Sequence, residues 1–203
     1  QDRTVTVGKT TYELPPFSFA IATMNPVELG QGTFPLSEAA TDRFAVMINV
    51  GYLPASEEAK LVNFDFKHVR LNSLMSKERI IQMRSKINEE VFLHDRLGNY
   101  IQQLVSATRP HNPDTDWNHY SPSELVERGV DLGASPRAII VWGRLAKVWA
   151  LLIHGRDEVY PEDIQELAPY VLSHRIWLGP HAASHGLTSE LVVKDVVAKV
   201  PIP

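Results

Sequence analysis

Two kinds of hydrophobic pattern divide the chain. Up to about residue 55 the apolar positions come as alternations and short continuous runs. From about Ser56 they recur every three or four residues. Arg3 to Val7 alternates, Gly8-Lys9 can turn, and Thr10 to Leu14 alternates back, which predicts a β-hairpin that Pro15-Pro16 ends. Phe19-Ala20-Ile21-Ala22 and the run from Ala45 to Val50 are continuously apolar. Such runs predict buried strands of a parallel sheet covered on both faces, with a short helix at Leu36-Ser37-Glu38-Ala39-Ala40 between them. Two strands make no stable sheet, so more strands are expected before residue 1.

The second pattern predicts helices. Glu57 and Glu58 suit the first turn of a short one. Asn63 to Leu74 shows no period and is expected to be a loop. Ser76 is placed to cap a long helix whose apolar face is Ile80, Met83, Ile87 and Val91. Leu97, Ile101, Leu104, Val105 and Thr108 form a second stripe, and Arg109-Pro110-His111-Asn112-Pro113-Asp114 breaks it. Ser121-Pro122-Ser123-Glu124 has the spacing of a capping box for a short helix ending near Gly129. A further helix follows Ser135-Pro136, and its stripe Trp142, Leu145, Trp149 and Leu152 is expected in the core. Gly155 ends it and Pro161 starts the next, with Ile164, Leu167, Ala168, Val171 and Leu172 facing inward. A last helix from Ser189 to Val200 carries Leu191, Val192, Val193, Val196, Val197 and Val200. The expected fold class is therefore α+β, mostly α.

Composition narrows the function classes. The 203 residues are 44% hydrophobic and 22% charged, an ordinary globular balance. The net charge of −4 gives no strongly basic surface for nucleic acid. There is no cysteine, which excludes disulfides and thiolate metal sites. No apolar run reaches the length of a membrane span, and no signal peptide opens the chain; a cytoplasmic protein is expected. Two metal readings are weak. Asp114-Thr115-Asp116 lacks the spacing of a calcium loop. His181 and His185 are four apart but lie between Gly179-Pro180 and Gly186, with no His-Glu-x-x-His pattern.

Two stretches carry the chemistry. In the first, Thr23-Met24-Asn25-Pro26 ends an apolar run, placing a polar amide at a strand edge of the kind where α/β sheets bind ligands. Gly30 and Gly32 follow in a loop, and Asp42-Arg43-Phe44 closes the short helix with an exposed, permanently charged arginine. In the second, Gly133-Ala134-Ser135-Pro136-Arg137-Ala138 starts a helix with Arg137 in its first turn. A cation there opposes the helix dipole. Either a phosphate or a nearby carboxylate should hold it.

Both stretches resemble the MoxR family of AAA+ ATPases. The shared strings are Ala22-Thr23-Met24-Asn25-Pro26, Gly32-Thr33-Phe34, Leu36-Ser37-Glu38-Ala39, Asp42-Arg43-Phe44 and the Gly133–Ala138 string. Gly155-Arg156-Asp157, Pro161-Glu162-Asp163 and Leu172-Ser173-His174-Arg175 extend the likeness. Met24 replaces the family's usual Gln, and Ser37 its usual Pro. The resemblance implies that Asn25 is the sensor 1 residue, Arg43 the arginine finger and Arg137 the sensor 2 arginine, which also contacts bound ATP. It implies residues 1–55 as the end of a nucleotide-binding core and 56–203 as a helical lid. It also implies ATP and Mg²⁺ as cofactors, a ring, commonly a hexamer, and a client or adaptor protein for chaperone-like remodelling.

The phosphate-binding Gly-x-x-x-x-Gly-Lys-Ser/Thr pattern occurs nowhere in the 203 residues. Gly8-Lys9-Thr10 has its ending but lies in a hairpin turn. The expectation is thus the C-terminal part of an ATPase, inactive by itself. The other reading is a non-catalytic helical protein-interaction module; a phosphate loop encoded upstream of Gln1 would decide for the ATPase.

Overall fold

The computed structural model describes residues 4–15, 17–24, 36–65, 68–111 and 123–203. Asn25, the loop of Gly30 and Gly32, Asp114-Thr115-Asp116 and Ser121-Pro122 lie outside the described residues. Contacts gather the chain into two units, Gln1–Pro35 with Arg70–Ser85, and Leu36–Val69 with Lys86–Pro203. In the first, β1 (Thr4–Val7) and β2 (Thr10–Glu13) form the expected antiparallel hairpin. Val7 pairs with Thr10 across Gly8-Lys9, and Gly8 takes φ +63°, a left-handed turn conformation that glycine adopts without steric cost.

The two expected core strands are a correction. Neither Phe19–Ala22 nor Ala45–Val50 joins a sheet, and Phe19, Ile21, Ile48 and Val50 are exposed. A strand exists only where a neighbour accepts its N–H groups and supplies donors to its carbonyls. No described strand lies beside either run. Met47 instead donates its backbone N–H to the carbonyl of Tyr170, at 2.9 Å.

The second unit is helical. It holds α1 (Glu38–Thr41) and α2 (Ala55–Leu61), and takes in the end of α3 (Lys77–Glu90). Then follow α4 (Asp95–Ala107), α5 (Glu124–Gly129), β3 (Val130–Leu132), α6 (Arg137–Leu152) and α7 (Pro161–Leu172). A 3₁₀ turn (Ser173–Arg175), β4 (Trp177–Leu178), α8 (Pro180–Ser184) and α9 (Ser189–Lys199) complete it. Its core forms where α6 packs on α7 and α4, and α9 on α7. Ile101, Leu104 and Val105 of α4 meet Ile164, Ala168 and Val171 of α7 and Val192, Val193 and Val196 of α9 in one buried cluster. Ile87 and Val91 of the stripe expected through α3 join it, whereas Ile80 and Met83 are only half-buried.

The stripe along α6 needs adjustment. Trp142 is fully buried and donates its indole N–H to the Ile164 carbonyl at 3.1 Å. Leu145 and Trp149 are only half-buried, and Leu152 is exposed. The buried line is Ala138, Trp142, Ala146 and Ala150. Spacing by four keeps these side chains on one slowly drifting face, and alanines let the neighbouring helices come close to it. Trp149 sits at the margin, where its indole N–H donates to Glu166 at 2.6 Å.

The cap of α5 also shifts. Ser123, two residues beyond the expected Ser121, accepts from the Val126 N–H and donates to Asp195 of α9 at 2.5 Å. The pairing of β3 with β4, in a bulged antiparallel register, carries no short-range sequence signal. No described helix is long and apolar enough to cross a membrane.

Candidate functional site

The site is built around Asp42. Ser37 caps α1, its hydroxyl accepting from the Ala40 N–H, and Asp42 follows the last turn. Both carboxylate oxygens of Asp42 accept from the Ser135 hydroxyl at 2.8 Å. Oδ2 also accepts from Arg137 Nη1 at 3.0 Å, and Oδ1 from Arg175 Nε at 3.2 Å. Three segments far apart in sequence therefore meet on one carboxylate: the end of α1, the start of α6 and the 3₁₀ turn after α7.

Each segment reaches this point for a local reason. The start of α6 is set by Gly133 and Ala134. A Cβ on Gly133 would lie 2.4 Å from the Thr108 carbonyl oxygen, so only glycine allows this approach of two backbones. Next to it, the Ala134 N–H donates to Thr108 Oγ1 at 2.9 Å, while the Ala134 carbonyl accepts from Arg109 Nε. Ser135 then turns its hydroxyl two ways, accepting from the Arg137 N–H at 3.2 Å and donating to Asp42. The start of α7 is fixed through Arg156, which pairs with the buried Asp163 at 2.7 Å and lies over the Tyr160 ring. Asp163 in turn accepts from the Tyr160 N–H at 2.7 Å. The Gly155-Arg156-Asp157 and Pro161-Glu162-Asp163 strings thus hold α7 in place.

Arg175 is the buried member, its side chain 1% exposed. Besides Asp42 it donates to the backbone carbonyls of Asp42, Phe44, Ala45 and Val171. Beside it, His174 Nε2 donates to the Phe44 carbonyl at 3.1 Å. Two adjacent side chains therefore staple the Asp42–Ala45 backbone to the end of α7. Burial lowers the Arg175 pKa, and Asp42 opposes that shift.

Burial also acts on Asp42, raising its pKa, but hydrogen bonds from Ser135 and Arg137 and the charges of Arg175 and Arg137 outweigh it and leave it below the usual carboxylate value. His174 moves further: burial, helped by the Arg175 charge, lowers it from 6.5 to about 4. The folded ring then stays neutral where the unfolded imidazole takes a proton. Its contribution to stability is complete above pH 6.5 and declines as pH falls from 6.5 towards 4. Denaturant unfolding measured between pH 7.5 and 4.5 is expected to show this loss, and His174→Gln to flatten the slope. An unchanged slope would mean that the ring titrates normally in the folded state.

Of the three expected site residues, Arg137 lies in this cluster. Between the two holders open to it, phosphate or carboxylate, the structure supplies the carboxylate of Asp42. Arg43 is next in sequence to Asp42, is exposed, and donates Nη1 to the Ala39 carbonyl of α1 at 2.8 Å. Asn25 is outside the described residues. Asp42 and Arg175 were not singled out from the sequence. The signal available was their place in the Asp42-Arg43-Phe44 and Leu172-Ser173-His174-Arg175 strings, with nothing to pair one with the other.

Chemically the cluster suits an anion. Two guanidinium groups face one carboxylate, and Arg137 is 39% exposed while Asp42 is 14% exposed. That leaves part of the Arg137 guanidinium accessible, a group of the kind that binds phosphate. It offers nothing for a metal, and among the described residues no group of three or more His, Asp or Glu could hold one. The rings of His181 and His185 lie 4.3 Å apart between centroids, tilted by 51°, with His185 Nδ1 2.8 Å from the His181 carbonyl.

Comparisons with known proteins give a consistent picture. Residues 1–46 match the family of ATPases associated with various cellular activities (AAA), and residues 123–196 match the AAA lid domain. The whole chain is 35% identical to the uncharacterized protein YeaC of Bacillus subtilis, covering 58% of that protein. It is 33% identical to the chaperone MoxR1 of Mycobacterium tuberculosis, covering 52%. A protein MoxR of Methylorubrum extorquens is 29% identical over 88% of the chain. A solved structure from Cytophaga hutchinsonii, named a "putative ATPase", superposes with a TM-score of 0.82 at 35% identity, over 99% of this chain and 59% of that one. The chain thus spans little more than half the length of these relatives.

Proposed function

The chain belongs to the MoxR family of AAA+ ATPases, and we propose that it supplies the sensing and transition-state side chains of a ring-forming ATP hydrolase. The hydrolase couples turnover to chaperone-like remodelling or assembly of partner proteins. Residues 1–55 are the end of the nucleotide-binding core and residues 56–203 the helical lid. The observation that carries this reading is the Asp42 cluster. It joins the string that holds Arg43 to the string that holds Arg137, and it presents cationic donors in excess of its one carboxylate.

In this reading Arg137 contacts the terminal phosphates of bound ATP and reports their presence through the lid. Arg43, based beside the stapled Asp42–Ala45 backbone, extends to the nucleotide of a neighbouring subunit and meets the charge that develops on the transferred phosphoryl group. Asn25 orients the attacking water. When bound, magnesium neutralises phosphate charge; none of its ligands is assigned to these residues. With no phosphate loop among residues 1–203, this segment alone is expected to hydrolyse no ATP. A hexameric ring, a client or adaptor protein and a cytoplasmic site of action belong to the same reading.

The test is Arg137→Ala in the full-length protein. A charge-assisted hydrogen bond of about 1.5–3 kcal/mol would be lost. Equilibrium titration should therefore show ATP binding weakened about 10- to 100-fold. Affinity within about twofold of wild type would remove Arg137 from the nucleotide site.

A further inference from the structure

The partners of Asp42 are unequal. Arg175 is buried, binds Oδ1, and is held by four backbone carbonyls as well. Arg137 is more than a third exposed and touches Asp42 through Nη1 alone. If Arg137 leaves, Asp42 keeps Arg175 and the Ser135 hydroxyl. No buried charge is then stranded, so the departure avoids the large penalty of breaking a buried pair. Arg175 cannot leave without opening four carbonyls. One cation is fixed and one is detachable.

We propose that Asp42 is a competitor of nucleotide phosphate for Arg137, holding the arginine on the Asp42–Arg175 staple until phosphate draws it off. This rests on the reading of Arg137 as a nucleotide sensor. The same carboxylate sits one residue from Arg43, and Arg175 and His174 hold the carbonyls on either side of that arginine. The exchange therefore takes place at the backbone from which Arg43 projects. Asp42 is a positioning residue: it sets how readily Arg137 turns to phosphate and ties that turn to the base of Arg43.

The experiment is a double-mutant cycle on nucleotide affinity in the full-length protein, with a non-hydrolysable ATP analogue. Asp42→Asn keeps an oxygen for Arg175 and Ser135 but removes the charge that competes for Arg137. It is expected to tighten binding about 3- to 10-fold where Arg137 is present, a shift of the size expected for one partly exposed pair, and to have no effect beside Arg137→Ala. Weaker binding, or the same change in both backgrounds, overturns the competition. If Arg137→Ala itself leaves affinity unchanged, it is the sensor reading that fails.

A second measurement does not need Asp42→Asn to fold. In Arg137→Lys the ammonium takes the place of the guanidinium, and a carbodiimide should join it to the Asp42 carboxylate as an amide, read by peptide mass spectrometry. The cross-link should form without nucleotide and disappear at saturating analogue. A cross-link that persists with nucleotide bound, or never forms without it, overturns the proposal.

Discussion

Arg43→Ala in the full-length protein is expected to abolish ATP hydrolysis, by about 10³- to 10⁵-fold in kcat, while leaving ATP affinity nearly intact. The geometry separates the two effects. The Arg43 side chain is exposed, and among the described residues its one hydrogen bond runs to the Ala39 carbonyl of α1. Removing it should change folding stability by no more than about 0.5 kcal/mol, as for most surface side chains. Its base is held without it, because Arg175 and His174 bind the carbonyls of Asp42 and Phe44 on either side. In the proposed role the guanidinium acts in the transition state of a neighbour's nucleotide, so the loss should fall on kcat rather than on binding. Mixing decides whether it acts across a boundary. An Arg43→Ala subunit with an intact phosphate loop should regain activity beside a subunit that keeps Arg43 but lacks the phosphate-loop lysine. If subunits exchange into mixed rings and no activity returns, Arg43 does not act in trans. If the variant unfolds, Arg43 has a structural role instead.

The largest expected effect on stability is at Arg175. Arg175→Met keeps much of the side chain's volume but removes every donor to Asp42 and to the carbonyls of Asp42, Phe44, Ala45 and Val171. Unsatisfied buried acceptors and a half-unpaired carboxylate should together cost about 3–5 kcal/mol. Arg175→Lys should recover only part of this, since one ammonium cannot span the positions that a planar guanidinium fork reaches. Denaturant unfolding of both variants checks it. A loss below about 1 kcal/mol for Arg175→Met would mean that the Asp42–Ala45 segment is not held through this residue. Because Arg137 does not depend on the same carbonyls, Arg137→Ala should be far milder in the same assay.

Helices with strong periodicity were legible because one face of each is buried in a single core. Ile164, Leu167, Ala168, Val171 and Leu172 are read from spacing alone and are all buried. The Trp142 stripe was read with the wrong slant. Spacing by three and by four both keep residues on one face, and only the neighbouring helices decide that the line runs through Ala138, Ala146 and Ala150, away from Leu145, Trp149 and Leu152. The runs Phe19–Ala22 and Ala45–Val50 look like core strands in composition. A strand, however, is defined by a partner, and periodicity says nothing about whether one lies alongside.

For the candidate site, the sequence by itself determined the side chains and their local settings. A glycine stands where two backbones must touch, a serine precedes a helix start, an arginine sits in a first turn against the dipole, and another arginine closes a short helix. It also determined, through the order of its strings, the family whose chemistry these residues match. What only the tertiary structure decided is their pairing. Asp42 and Arg175 are 133 positions apart, and Asp42 and Arg137 are 95 apart. A charge has no period and no preferred partner along a chain, so nothing local tells which carboxylate will meet which guanidinium. That is set where α6 and α7 pack and bring their ends to the close of α1, leaving one arginine buried on four carbonyls and the other partly exposed on the same carboxylate.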